Sequence, residues 1–137
     1  MHPNALLDLT AELLRAVMRF DAPADGVVSA FFRQHRHLGA RERHTLAETV
    51  YTVLRRRLRL EYLAQLDGDL PPRAGGTPLM RRLAILGWQG NEGFLRAALG
   101  PQEQAWLARA QAIKPDNLAA RLRHNLPDWL ATALQEA

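Results

Sequence analysis

Between Asn4 and Phe20, apolar residues recur at Leu6, Leu7, Leu9, Leu13, Leu14, Val17 and Met18. This i, i+3, i+4, i+7 spacing predicts an amphipathic helix, with Asn4 as its N-cap. Asp21 and Pro23 interrupt the pattern, and a second helix is expected from about Pro23, burying Val27, Val28, Phe31 and Phe32. Gly39 is placed to end it, in the left-handed position that often follows a helix. A third helix then begins. At about 100° per residue, Leu46, Val50, Val53, Leu54 and Leu58 share one face, with Ala47 and Tyr51 at its edge. Arg41, Arg55 and Arg59 project roughly the other way. Arg57 falls among the apolar residues, so it either snorkels outward along its stem or pairs with a buried carboxylate.

The stretch DGDLPPRAGGTP, Asp67 to Pro78, is the only long run of turn formers, and it is expected to separate two helical halves of one domain. Shorter helices are predicted at Leu79 to about Leu86, Asn91 to Leu99, Pro101 to about Ile113 and Asp116 to about Arg123. Another begins in LPDWLATALQEA at the end. No segment alternates with period two for long enough to argue a strand, so the expected fold class is all-α. There is no internal repeat.

With 137 residues and 47% apolar content, the chain can bury one core, and a second independent domain is not expected. No apolar run approaches the roughly 18 residues that span a bilayer, and no basic stretch followed by an apolar one opens the chain, so a cytoplasmic protein is expected. Cysteine is absent, which removes disulfides, thiolate metal sites and cysteine nucleophiles together. Basic residues outnumber acidic ones 18 to 14, and Lys114 is the only lysine. Arginine is the better fork for phosphate, but a GC-rich genome also favours its codons, so composition points only weakly to nucleic acid.

Three constellations invite chemistry and do not carry it. Gly87, Gly90 and Gly93 in GWQGNEG resemble a phosphate loop, but such a loop needs a preceding strand, and LMRRLAIL reads as helix. A helix-to-helix turn is the better reading. His35, His37 and His44 crowd one turn region, yet residues two apart diverge on a helix and no metal-ligand spacing appears. They are read as polar neighbours of the arginines, gaining charge only below about pH 6.5. Ser29 is the only serine and sits inside an amphipathic helix, while Trp88, Trp106 and Trp129 lie beside leucines as core residues do. No active site is expected in this chain, and neither a metal nor a cofactor.

The arginines remain. Arg33, Arg36, Arg41 and Arg43 flank the Gly39 turn with the three histidines among them, and Arg55, Arg56 and Arg59 lie about three turns along the third helix. One account is a solvated surface cross-paired to Glu42, Glu48 and Glu61. The other is phosphate contact, each instance of which adds affinity and steepens its salt dependence. Periodicity alone does not choose. In the second account the helix acts as a beam, its apolar side held by the core so that the basic groups at its ends are fixed in space.

The text around these arginines carries a further signal. PADGVVSAFFRQHRHLGARERHTLAETVYTVLRRR resembles the amino-terminal domain of the Sun (Fmu) family of bacterial ribosomal RNA cytosine-5 methyltransferases, a domain itself similar to the antitermination factor NusB. The matching residues are Pro23, Ala24, Asp25, Phe31, Phe32 and Arg33, then Leu38, Gly39, Arg41, Glu42 and Arg43, then Glu48, Tyr51, Val53, Leu54, Arg55 and Arg56. LPDWLATAL is similar to the helix that leads into the catalytic portion of that family. The specific match covers about a quarter of the chain.

The resemblance implies a NusB-like bundle of about six to eight helices, with residues 1–125 as the helical domain and 126–137 as the start of a linker helix. It implies a longer parent protein whose Rossmann-like portion binds S-adenosylmethionine and uses cysteines that this chain lacks. The expected role here is an accessory domain that grips or orients ribosomal RNA, without catalysis of its own. NusB carries an arginine-rich first helix, whereas only Arg15 and Arg19 stand on this one, which moves the expected contact to the Gly39 turn. Two other readings stay open: a stand-alone NusB-type antitermination factor, and a helical module whose arginines dock an acidic protein or its own C-terminal catalytic domain.

Overall fold

The computed structural model describes residues 2–65 and 77–113. Within them the protein is all-α, with seven helices and no strand. The expected helices at Asp116 to Arg123 and in LPDWLATALQEA, the linker boundary at 126, Trp129, Lys114 and nearly all of the 67–78 connection lie outside the described residues. None of the described helices is long and apolar enough to cross a membrane.

Helix α1 (Pro3–Val17) is the centre of the bundle and packs most extensively on α5 (Thr77–Leu86), with α2 (Ala24–Gln34), α3 (Ala40–Arg55) and α6 (Glu92–Ala98) around it. Leu6, Leu7, Leu13, Leu14 and Val17 are buried, as their spacing requires. The N-cap is His2 and not Asn4: the His2 Nδ1 accepts the Asn4 backbone N–H at 3.2 Å, and Pro3 fills the first position, where a missing N–H costs nothing. The Asn4 side chain is engaged elsewhere, accepting from Arg81 at 2.9 Å.

The expected stop at Gly39 is corrected. Helix α2 ends at Gln34, where His35 closes it by placing both its backbone N–H and its ring Nδ1 on the Phe31 carbonyl, at 3.0 and 2.9 Å. The His35 ring also stacks on Phe31, with centroids 4.0 Å apart. Leu38 is buried and donates its N–H to the His35 carbonyl, pinning the turn to the core. Gly39 is not left-handed: at φ −75° and ψ 172° it opens α3 as the N-cap, and its N–H is held by the Glu42 carboxylate at 2.9 Å.

Helix α3 does not run on through Leu58 and Arg59 as one continuous wheel. It ends at Arg55. Arg56, at φ −116° and ψ 26°, leaves helical geometry while its N–H still reaches the Thr52 carbonyl at 3.1 Å, and α4 (Arg57–Ala64) starts after it. The break lets Leu60, Leu63 and Ala64 turn into the core while Arg57 moves outward. Helix α4 then packs on α5.

The second half follows its punctuation closely. Asn91 caps α6 through the Phe94 N–H at 2.9 Å, and Gly100 and Pro101 open α7 (Pro101–Ala112), with Glu103 reaching back to the Gly100 N–H at 3.3 Å. Trp106 is 1% exposed, and its indole N–H donates to the Leu63 carbonyl at 3.1 Å, joining α7 to α4. GWQGNEG is a helix-to-helix turn. A Cβ on Gly87 would lie 2.6 Å from Val53 Cγ2 and one on Gly90 2.8 Å from Thr45 Cγ2, so these glycines permit close approach to α3. The Gln89 N–H seals that contact on Thr49 Oγ1 at 3.1 Å. This turn clamps α3 along its length.

Candidate nucleic-acid interface

The basic groups fall at the two ends of the clamped helix. Arg33 is in the last turn of α2, Arg36 lies in the turn that His35 and Leu38 fasten, and Arg41 and Arg43 stand in the first turn of α3. All four are exposed, as are His37 and His44. At the other end, Arg55 closes α3, Arg56 is the break itself and Arg59 belongs to α4. Arg55 and Arg56 are exposed, while Arg59 is half-buried. At 1.5 Å rise per residue, the two clusters are separated by about 20 Å of helix.

The cross-pairing account can be checked residue by residue. Among the described residues, none of these seven guanidinium groups is ion-paired. Glu42 is turned to the Gly39 N–H, Glu61 binds Arg57, and Arg55 donates to Thr52 Oγ1 at 3.3 Å. The carboxylates expected to neutralise the patch are otherwise engaged or unpaired with it. Arg41 and Arg43 also sit where the helix macrodipole disfavours cations, so their placement adds positive potential at some expense to helix stability.

Local supports hold the rod in register. The Tyr51 hydroxyl donates to the Asp25 carboxylate, tying the first turn of α2 to the middle of α3. That hydrogen bond, with burial and the charges of Asp25 and Glu48 behind it, holds the Tyr51 phenol above its ordinary pKa. Asp25 and Tyr51 both lie in the stretch that carries the family resemblance.

Comparison with protein-family models, with curated proteins and with solved structures finds no match to this chain. The chemistry of the surface therefore rests on its own geometry.

Of three further residues important to the surface or its support, the sequence pattern singles out one, Arg57, and misses Phe20 and Arg81. The wheel puts Arg57 among apolar residues, but it is 45% exposed, paired to Glu61 at 2.9 Å and stacked 4.7 Å above the Phe20 ring centroid. Phe20 reads in the sequence only as the end of a helix. It is 56% exposed, in the left-handed region at φ 56°. Arg81, one of two basic residues in an otherwise apolar segment, gathers acceptors from several helices. The out-of-phase position of Arg57 is the available signal; no periodic signal marks the other two.

Ser29 is exposed on α2, and Trp88 and Trp106 place their indole N–H groups on the Asn91 and Leu63 carbonyls. No group of three or more His, Cys, Asp or Glu side chains among the described residues is gathered to hold a metal. The glycine-bearing turn after α5 follows a helix and uses Gly87 and Gly90 for contact with α3.

Proposed function

We propose that this chain is an RNA-binding accessory domain of an S-adenosylmethionine-dependent ribosomal RNA cytosine-5 methyltransferase, helping to grip or orient ribosomal RNA for a catalytic portion elsewhere in the parent protein. One observation carries the RNA-binding part: guanidinium groups without carboxylate partners among the described residues stand at both ends of a helix whose other side is held by the core. The helix fixes the backbone from which each arginine reaches, so binding a folded polyanion orders only the side chains, and arginine forks suit phosphate oxygens. The parent's identity, and with it the cofactor, rests on the resemblance of residues 23–57.

The test is binding of the chain to small-subunit ribosomal RNA fragments at several salt concentrations. Affinity should fall steeply with salt. Replacing Arg41, Arg43, Arg55 and Arg56 together with alanine should flatten the slope of log K against log salt by about 0.7 to 0.9 for each phosphate no longer held. Salt-independent binding, or a slope unchanged in the quadruple variant, overturns the reading. Binding of an acidic protein in place of RNA would favour the docking-module alternative.

A further inference from the structure

Phe20 breaks two rules at once. Among the described residues it is the only large apolar side chain that stands exposed, and the only non-glycine residue with positive φ. A bulky residue in the left-handed region is strained, and such strain ordinarily persists because burial or another contact compensates it. Here the core contributes little: the ring is 56% exposed. Glycine would fit this backbone without strain, so an aromatic ring at this point calls for a reason beyond core packing.

The surroundings supply one. The Arg57 guanidinium lies 4.7 Å from the ring centroid, and Glu61 fixes it from behind at 2.9 Å. One side of the ring is thus braced by a cation. Arg19, next to Phe20 in the chain, and Arg56, next to Arg57, are both exposed and unpaired among the described residues. Two acids are close in sequence, Asp21 and Glu61, and Glu61 is already engaged by Arg57. A braced aromatic face beside unpaired arginines suits a flat, electron-rich ring attached to a phosphate.

We propose that Phe20, braced by Arg57 where the end of α1 meets the α3–α4 break, is a stacking platform for one unpaired nucleobase of RNA, with Arg19 and Arg56 receiving the adjoining phosphates. This rests on the RNA-binding reading and refines it: the arginines grip any polyanion, whereas Phe20 selects strands with an unstacked base. A duplex keeps its bases inside and cannot use the ring.

The experiment uses a single-stranded RNA of about 12 nucleotides carrying 2-aminopurine, and the same sequence as a duplex, at about 50 mM salt. Phe20→Gly should weaken single-strand binding about 5- to 100-fold, abolish the change in 2-aminopurine fluorescence that binding produces, and leave duplex binding unchanged. Its thermal midpoint should equal or exceed that of the unaltered chain, since the strain is relieved, which separates a missing stacking partner from a failure to fold. Phe20→Trp should retain single-strand binding and quench the 2-aminopurine, as an indole stacked on the base does. If Phe20→Gly or Phe20→Leu binds the single strand as the unaltered chain does, the platform is overturned while the arginine reading stands. If the unaltered chain binds neither RNA, the RNA-binding reading fails and the platform with it.

Discussion

Arginine does opposite work in two regions of this molecule. At the junction of α1, α5, α6 and α7, Arg81 is 19% exposed and saturated: its Nε and one terminal nitrogen grip Glu103 at 2.6 and 3.0 Å, and the remaining donors reach Asn4, Asp8 and the Ala98 carbonyl. At Arg33, Arg36, Arg41, Arg43, Arg55 and Arg56, the same side chain stands exposed and without a carboxylate among the described residues. The first arrangement turns one guanidinium into a cross-link among four helices. The second leaves the charge available to a partner, at the cost of local repulsion. Arginine count alone says little about partners; what matters is which carboxylates the fold brings within reach.

The sharpest way to break that contrast is at the hub. Arg81→Ala should destabilise the chain by about 2–4 kcal/mol, because it leaves a partly buried Glu103 and several acceptors without their donor. Urea denaturation measures this. A loss near zero would mean the cluster is ornamental and the two regions do not differ.

Acid probes the same cluster from the other side. Burial pushes the Glu103 carboxyl up, but the Arg81 hydrogen bond, the Gly100 N–H and the charges of Arg81 and Arg82 outweigh it and hold its pKa below the ordinary carboxylate value. The group therefore contributes stability that is fully present above its unfolded pKa and is lost as pH falls through its lower folded pKa. Stability should decline below about pH 4.3, and Glu103→Gln should flatten that decline. The effect should be smaller than that of Arg81→Ala, since protonation leaves the other acceptors of Arg81 in place.

A smaller effect is expected where α2 is tied to α3. Tyr51→Phe removes one partly exposed hydrogen bond to Asp25 and should cost about 0.5–1 kcal/mol. The raised phenol pKa gives a signature with the opposite sign: this contribution is present below the unfolded tyrosine pKa of about 10 and disappears as pH rises through the folded value. A pH-dependent stability difference between the two proteins in the alkaline range checks it.

The smallest change in stability should come from the surface. Replacing Arg41, Arg43, Arg55 and Arg56 with alanine should leave the denaturation midpoint nearly unchanged, because no ion pair among the described residues is removed and the gain from clearing cations out of the first turn of α3 offsets the loss of Arg55 from its last turn and of its hydrogen bond to Thr52. A large drop in stability would show that these groups serve the fold and would erase the distinction from Arg81.

Much of the fold is legible in the sequence because its signals are local. The leucine spacing of α1, the Asn91 cap and the Gly100–Pro101 start each act within a turn or two, and each appears close to where its residues place it. The departures share one cause. Sequence neighbours alone favour Asn4 as a cap, Gly39 as a stop and a single wheel through Arg59, whereas Arg81 claims Asn4, His35 ends α2 early on Phe31, and core packing breaks α3 at Arg56. The exposure of most of the chosen arginines follows from the wheel; their lack of carboxylate partners among the described residues does not, because it depends on where Glu42 and Glu61 turn.

By itself, then, the amino-acid order determined that this protein is helical, roughly where most of its helices lie, and which sides of them carry leucine or arginine. Hydrophobic periodicity and caps are short-range, and they act before the chain has any shape. Only the tertiary structure decided that Arg81 is a cross-link, that Arg57 meets Phe20, and that the basic groups at the ends of α3 meet no carboxylate among the described residues. Those outcomes depend on pairs up to 77 residues apart in the chain, as Asn4 and Arg81 are. No local preference of either partner encodes such a meeting; packing of the helices does.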